Sequence, residues 1–279
     1  MTFFFLFLPD GSVAGYHHIK KIKDYSNSLK VKSMIHNCHS DAKWSYHFND
    51  KMIFVKNSED LPKVREQPNL ISNIKNVNID LNFNPINEVY EYSKYMTKES
   101  LELGKKAGDK HWEQIAIISG KIKISNDVYK IEKTLGQRDH TYGVRDWTGV
   151  GNWFYYVVWF NESLAINPAA VIADDGRVST GGFMFKKGKN VPLKYIKILE
   201  ETIREDGMPI SSKLSIIDFF DNKYILKAHV GKIIPVPFKD IEGNLSILVQ
   251  SFGDFDLDGI KGYGTFETLR KVKKSSEIK

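Results

Sequence analysis

Apolar and polar residues alternate along most of this chain in short runs. Val77, Ile79, Leu81 and Phe83 point one way, with Asn78, Asp80 and Asn82 between them, which is the period of a half-buried β-strand. The pattern predicts further strands over residues 12–22, 29–36, 115–124, 128–133, 153–160, 169–173, 178–186, 191–204, 211–220, 224–230, 245–251 and 262–269. Turn residues punctuate them: Pro9-Asp10-Gly11, Asp24-Tyr25-Ser26-Asn27, Ser125-Asn126-Asp127, Asp174-Asp175-Gly176-Arg177 and Asp221-Asn222. Residues 44–49 and 51–55 read as a hairpin around Asn49-Asp50. Gly181-Gly182 inside one strand predicts a bulge or a close backbone approach.

One segment breaks the period of two. Tyr92, Tyr95, Met96, Glu99 and Leu103 recur at helical spacing, with Asn87 as N-cap and Gly108 as stop, so a helix is expected over residues 88–106. Evenly spaced strands and a single helix make this an all-β chain of antiparallel barrels or sandwiches. The expected division is an N-terminal β domain (1–86), a helical linker (87–110), a C-terminal β-barrel domain (111–272) and a polar tail (273–279). Phe3-Phe4-Phe5-Leu6-Phe7-Leu8 opens the chain as a buried strand; with no basic residue before it, it is too short for a membrane span and wrong for a signal peptide. A chain that begins inside a core strand predicts a first domain lacking its earliest strands.

Composition changes this picture little. With 279 residues and 42% hydrophobic content, a core of full size is available. The net charge of +6 comes from scattered lysines, which reads as a solvated surface, not a nucleic-acid face; peripheral contact with an anionic membrane stays open. A lone cysteine, Cys38, excludes an internal disulfide and fits a cytoplasmic location. Oligomeric state is not readable.

Candidate chemistry concentrates in the second half. Gly136-Gln137-Arg138-Asp139-His140-Thr141-Tyr142-Gly143-Val144-Arg145-Asp146-Trp147 packs two arginines, two aspartates, a histidine, a tyrosine and a tryptophan between strand-like runs. Each unpaired buried polar group costs about 1–3 kcal/mol, so this stretch is either a polar site or an Arg–Asp lattice that locks a corner. His111 and Glu113, at i and i+2 of a strand, share one face, with Gln114 beside them. Glu267 follows a glycine-lightened strand. Asp254-Phe255-Asp256-Leu257-Asp258-Gly259 mimics the start of a calcium loop, but Thr265 stands where the bidentate Glu is required. The histidines at 17, 18, 36, 39 and 47 lack a ligand spacing. No P-loop, dinucleotide fingerprint or nucleophile elbow is present, so neither a cofactor nor a metal is expected.

His111-Trp112-Glu113-Gln114, Gly120, the Gly136–Trp147 stretch and Gly181-Gly182-Phe183 together resemble the two-domain lipocalin-like family that includes the carotenoid 1,2-hydratases (hydroxyneurosporene synthases). The family's central motif is close to G-x-R-D-H-S-W-G-x-R-D-W; here Thr141 and Tyr142 replace Ser and Trp. The resemblance is strong over residues 110–187, and Pro9-Asp10-Gly11-Ser12 fits a late strand of that family's first domain. It implies two calycin-like β domains with an apolar cavity at or near their interface. It also implies a cofactor-free hydratase, isomerase or cyclase that protonates a C=C bond of an isoprenoid or polyene-like molecule. Asp139 or Glu113 would be the acid; His140 and Tyr142 would orient water. Arg138 and Arg145 would hold the loop, with His111, Gln114, Asp146, Trp147 and Glu267 organising the site. The rival reading is a non-catalytic carrier for a lipid or isoprenoid, in which the polar stretch is scaffolding.

Overall fold

A computed structural model describes residues 2–19, 28–39 and 43–272. The chain is all-β and antiparallel, and it divides into two compact units, residues 1–86 with 115–136 and residues 87–114 with 137–279. The expected turn at residues 24–27 and the tail at 273–279 lie outside the described residues.

In the first unit, β1 (Thr2–Phe7), β2 (Val13–His18), β5 (Trp44–Val55), β6 (Asn73–Pro85) and β8 (Lys110–Ile124) pair in that order. The hairpin β3 (Ser28–Val31) and β4 (Met34–Cys38) joins at β5, while β9 (Asp127–Tyr142) pairs with β8. Two expectations are corrected here. The run at 29–36 is a hairpin, because Lys32 takes a left-handed turn (φ 50°). The hairpin expected around Asn49-Asp50 is one continuous strand: both residues stay extended against Asn78 and Val77 of β6. Asp50 instead faces Ser33 and Tyr16, which donate to its carboxylate at 2.6 and 3.2 Å. Phe48, Met52, Phe54, Val77 and Ile79 form the core on one face. On the other, the registers set His47 against Asp80 (2.8 Å), with the Ser45 hydroxyl 3.0 Å from His39 and 3.2 Å from His47.

The second unit is built on a closed eight-stranded barrel, β10 (Asn152–Asn161) to β17 (Ile260–Val272), each strand pairing with the next and β10 with β17. Phe154, Tyr156 and Val158 of β10 point inward and join Leu214, Val249 and Phe266 in an apolar core, beside which Phe154, Tyr156, Met208 and Ser212 border a cavity of about 390 Å³. Trp153 and Tyr155, between them, therefore face outward. The acidic stretch at 254–259 is the end of β16 (Leu245–Leu257) and the turn into β17, with Asp258 and Gly259 both at positive φ, as a two-residue turn requires.

The expected helix over 88–106 shrinks to α1 (Lys98–Gly104), flanked by 3-10 turns. Thr97 caps it by accepting from the Ser100 amide at 3.1 Å; Asn87 is engaged elsewhere, donating to Asn190 at 2.7 Å. Tertiary contacts override the helical spacing. Tyr90 and Tyr92 are buried against β12 (Val178–Lys186) and β11 (Leu164–Ile172): Tyr90 donates to the Gly182 carbonyl at 2.9 Å and Tyr92 to Asn167 Oδ1 at 2.7 Å. Asn167 in turn donates to the Tyr156 carbonyl at 2.7 Å. Gly182 (φ +122°) shows why the double glycine is there: a Cβ would lie 1.9 Å from the Asn167 carbonyl oxygen.

Asn167 is 1% exposed and satisfies two buried partners at once. Asn167→Ala is expected to destabilise the protein by on the order of 3 kcal/mol, since each stranded buried group costs about 1–3 kcal/mol. Tyr92→Phe, which strands one acceptor, should cost about a third as much. Urea unfolding midpoints of the two variants check this.

Candidate functional site

The strand period sorts the predicted residues into two sets. On β8, His111 and Glu113 share a face; on β9, Gln137, Asp139 and Thr141 do. These five converge. His111 Nε2 lies 2.6 Å from Glu113 Oε1 and 3.3 Å from Asp139 Oδ1, so one ring nitrogen serves two carboxyls. Gln137 donates to Glu113 Oε2 at 2.6 Å, and Tyr155, on the outer face of the barrel, donates to Glu113 Oε1. Tyr92 lies flat on the His111 ring, 4.5 Å between centroids and 9° between planes.

The opposite faces carry the others. His140 stacks on Tyr142 at 4.3 Å, and Trp112 meets both rings edge-on. Neither His140 nor Tyr142 joins the His111–Glu113–Asp139 cluster. Arg138 donates to Gln114 Oε1 at 3.2 Å, and Gln114 donates to the Asn87 carbonyl at 3.0 Å.

The Arg–Asp lattice is absent around Asp139, Arg145 and Asp146. Asp139 pairs with His111. Asp146 accepts from the Gly149 amide at 2.9 Å and shapes an exposed turn. Arg145 donates from Nε to the Ala107 carbonyl at 2.9 Å and lies over the rings of Trp147 and Trp153, at 5.1 and 5.5 Å. Gly143 (φ +112°) lets this segment run against residues 106–109: a Cβ there would sit 2.6 Å from the Asp109 amide nitrogen. Asp109 donates to the Tyr142 carbonyl at 2.7 Å and Asp146 to that of Lys106 at 2.9 Å.

These side chains border a cavity of about 320 Å³ that lies wholly within the second unit. Its walls are the outer face of the barrel, including Trp153, Tyr155, Ala169, Val171 and Glu267, and the segment that carries Tyr92, Met96 and Leu101. His111, Asp139, Thr141 and Arg145 line it too. Glu113 stands behind this wall with no exposed surface. Glu267 is held by Trp153 Nε1 at 2.9 Å and by the Gln250 amide. Tyr92, Tyr155, Gln137 and Trp153 went unmarked in the sequence reading. Tyr155 carried a faint signal, a hydroxyl on the outward period of an otherwise apolar strand.

Environment separates the charges. Burial, helped by the Asp139 charge, pushes Glu113 up to about 7, although His111 and Tyr155 pull it back. Burial alone would lower His111; its hydrogen bonds to Asp139 and Glu113, and their charges, carry it up to about 10. Desolvation raises Asp139 but is outweighed by His111 and by the Arg145 charge, so its carboxyl sits below the usual range. Its side chain keeps 46% of its surface exposed, consistent with an ionised group. Burial and the Glu113 charge raise Tyr155 far above the ordinary phenol value, leaving it neutral. Burial also raises Glu267. His111, Glu113 and Asp139 offer ligand atoms within 4.8 Å of one another, a spacing a cation could bridge. Here the Glu113 oxygens are instead engaged by His111, Tyr155 and Gln137.

The raised His111 value has a sign that stability can report. An unfolded histidine loses its proton near 6.5, whereas His111 keeps it to about 10. Its contribution is therefore complete below pH 6.5 and is lost as pH rises toward 10. The melting temperature should fall steadily from pH 7 to pH 9, and His111→Gln should flatten that slope. Thermal melts across this range measure it.

The family model for a domain of unknown function (DUF7064) matches residues 2–272. Among solved structures, a protein from Nitrosomonas europaea assigned as AttH superposes with a TM-score of 0.58 at 11% identity, covering 94% of this chain and 80% of that one. CghA does so with a TM-score of 0.50 at 8% identity, covering 97% and 82%. Kievitone hydratase from Nectria haematococca gives 0.46 at 9%, covering 93% and 83%. At 11% identity the likeness to the Nitrosomonas europaea protein is one of fold, and it agrees with the calycin-like barrel. No curated protein sequence matches the chain, and among the described residues no helix is long and apolar enough to cross a membrane. With nearly its whole length covered by that one model, the chain belongs to the DUF7064 family.

Proposed function

We propose that the cavity in the second unit is the active site of a cofactor-free proton-transfer enzyme, a hydratase, isomerase or cyclase acting on a small, apolar, unsaturated molecule. One observation carries this reading. Glu113 is fully buried, its carboxyl titrates near 7, and it is hydrogen-bonded to two groups, Tyr155 and His111, that themselves line an apolar cavity. A carboxylic acid kept protonated near neutral pH is what protonation of a C=C bond requires.

Glu113 reaches the cavity through Tyr155. Once the Tyr155 hydroxyl turns from Glu113 to the substrate and the protonated Glu113 donates to the phenol oxygen in its place, a concerted shift passes the Tyr155 proton to an alkene carbon while the Glu113 proton replaces it. The acid strength of that relay is Glu113's, near 7, not a phenol's. The π-electrons of the substrate form the new C–H bond and leave a carbocation at the neighbouring carbon. Asp139, ionised and at the cavity wall, stabilises that charge. Capture by water, whose extra proton passes to Asp139, gives hydration; loss of a different carbon-bound proton to Asp139 gives isomerisation; attack by an internal double bond, followed by loss of a proton from the new cation to Asp139, gives cyclisation. Burial and the Asp139 charge keep the proton on Glu113, while His111, cationic and flat against Tyr92, keeps Asp139 ionised. The motif shared with the carotenoid hydratases supports the same residues, but Asp139 serves here as the base and Glu113 as the acid. A cavity of about 320 Å³ is at the small end of the ~300–1,000 Å³ typical of small-molecule sites and suits a short isoprenoid better than a long polyene.

Incubating the protein in D2O with geraniol, farnesol, and geranic and farnesoic acids should place deuterium at carbon in at least one of them, read by mass spectrometry. The rate should fall as pH rises through about 7, where Glu113 loses its proton. Glu113→Gln should lower the rate about 10²–10⁴-fold without weakening ligand binding. Binding with no deuterium incorporation would leave the carrier reading standing instead.

A further inference from the structure

The cavity contains a cation whose hydrogen-bonding capacity is not used up. Arg145 donates from Nε to the Ala107 carbonyl at 2.9 Å, which fixes the guanidinium plane. Trp147 and Trp153 support it at 5.1 and 5.5 Å, and Trp147 is itself stacked on Phe238 at 4.1 Å and 3°. Among the described residues, the two terminal nitrogens have no acceptor within hydrogen-bonding distance. Neither is among the sealed-in polar atoms, and Arg145 lines the cavity. A guanidinium held flat, with its outer edge toward a cavity, presents two parallel N–H donors, the geometry that matches a carboxylate bidentately.

The surrounding charges leave room for an anion. Asp139 and Glu267 both sense the Arg145 charge, but Asp139 is paired to His111 and Glu267 accepts from Trp153 and Gln250. Cationic His111 already pairs with Asp139, and burial raises both Glu113 and Glu267 toward their neutral forms. At the rim, Lys105 and Lys110 are offset by Glu102 and Asp109. The rest of the wall near Met96, Leu101, Ala169 and Val171 is apolar.

We propose that Arg145 is a carboxylate subsite, and that the ligand of this cavity is an apolar molecule ending in a carboxylic acid. This rests on the reading of the cavity as a small-molecule site and narrows its substrate class. An uncharged isoprenoid would leave the guanidinium edge desolvated and unpaired; a carboxylate would satisfy it while the apolar body lies against the barrel face.

Trp147 and Trp153 sit on Arg145 and report its occupancy. Tryptophan fluorescence titrations with farnesoic acid, methyl farnesoate and farnesol form the test, with repeats on Arg145→Met, Arg145→Lys and Glu113→Gln. Farnesoic acid should bind at least tenfold more tightly than its ester and alcohol. Arg145→Met should abolish that preference while leaving ester and alcohol binding within about twofold; Arg145→Lys should retain part of it, and Glu113→Gln all of it. Equal affinity for the three compounds overturns the subsite alone. So does an Arg145→Met variant that, though folded by circular dichroism, loses all three equally, since that marks a merely structural arginine. Failure of every compound to bind overturns the cavity reading as well.

Discussion

One imidazole nitrogen facing two carboxyls is the constraint on which the rest of the site depends. His111 cannot satisfy Glu113 and Asp139 equally, and the two acids sit in different surroundings. Glu113 has no exposed surface, while Asp139 keeps nearly half of its own. Desolvation then decides which acid carries the proton. The histidine stays charged because both acids face it, and Asp139 stays ionised because the histidine is charged. Burial and the Asp139 charge hold the proton on Glu113 against the pull of His111, so removing any one group would move the remaining pair.

That arrangement is set by strand geometry. Glu113 is buried because its face of β8 looks toward the outer wall of the barrel, where Tyr155 supplies a donor. Tyr155 faces outward because Phe154 and Tyr156 fill the barrel core. The barrel interior is lined by apolar side chains, and the cavity beside the His111–Glu113–Asp139 cluster lies on the outer surface under the segment from Tyr92 to Leu101. That segment could not become the long helix its spacing favours, because Tyr90 and Tyr92 anchor it by hydrogen bonds to β12 and β11. The lost helical hydrogen bonds are replaced by short 3-10 turns and by packing of the two tyrosines.

Much of this was legible in the sequence. The alternation specified an all-β antiparallel chain, and the pair His111 and Glu113 followed from i and i+2 on one strand. The same rule, applied from Arg138 to Tyr142, separates Asp139 from His140 and Tyr142. Other features were not readable. Asn49-Asp50 looks like a turn, but the facing β6 and the Asp50 acceptor contacts keep it extended. Tyr155 and Tyr92 enter the site through pairing partners far away in sequence. The Arg–Asp pairs suggested by composition were displaced by nearer partners: a histidine for Asp139 and a backbone carbonyl for Arg145.

The two halves of the cavity wall then do different things. At one end, burial keeps a proton where water would have removed it. At the other, two tryptophan rings and a backbone carbonyl orient a guanidinium that pairs with no carboxylate among the described residues. A scaffold whose only task was to lock a corner would pair Arg145 with Asp139, since both line the same cavity and sense each other's charge. It does not: Asp139 is held by His111, and Arg145 by a carbonyl and two rings. Keeping opposite charges apart in a confined space costs stability, and such separation persists where each charge has an outside partner to meet. The polar stretch from Gly136 to Trp147 is in this sense less a knot than two anchored ends, with the missing partner between them.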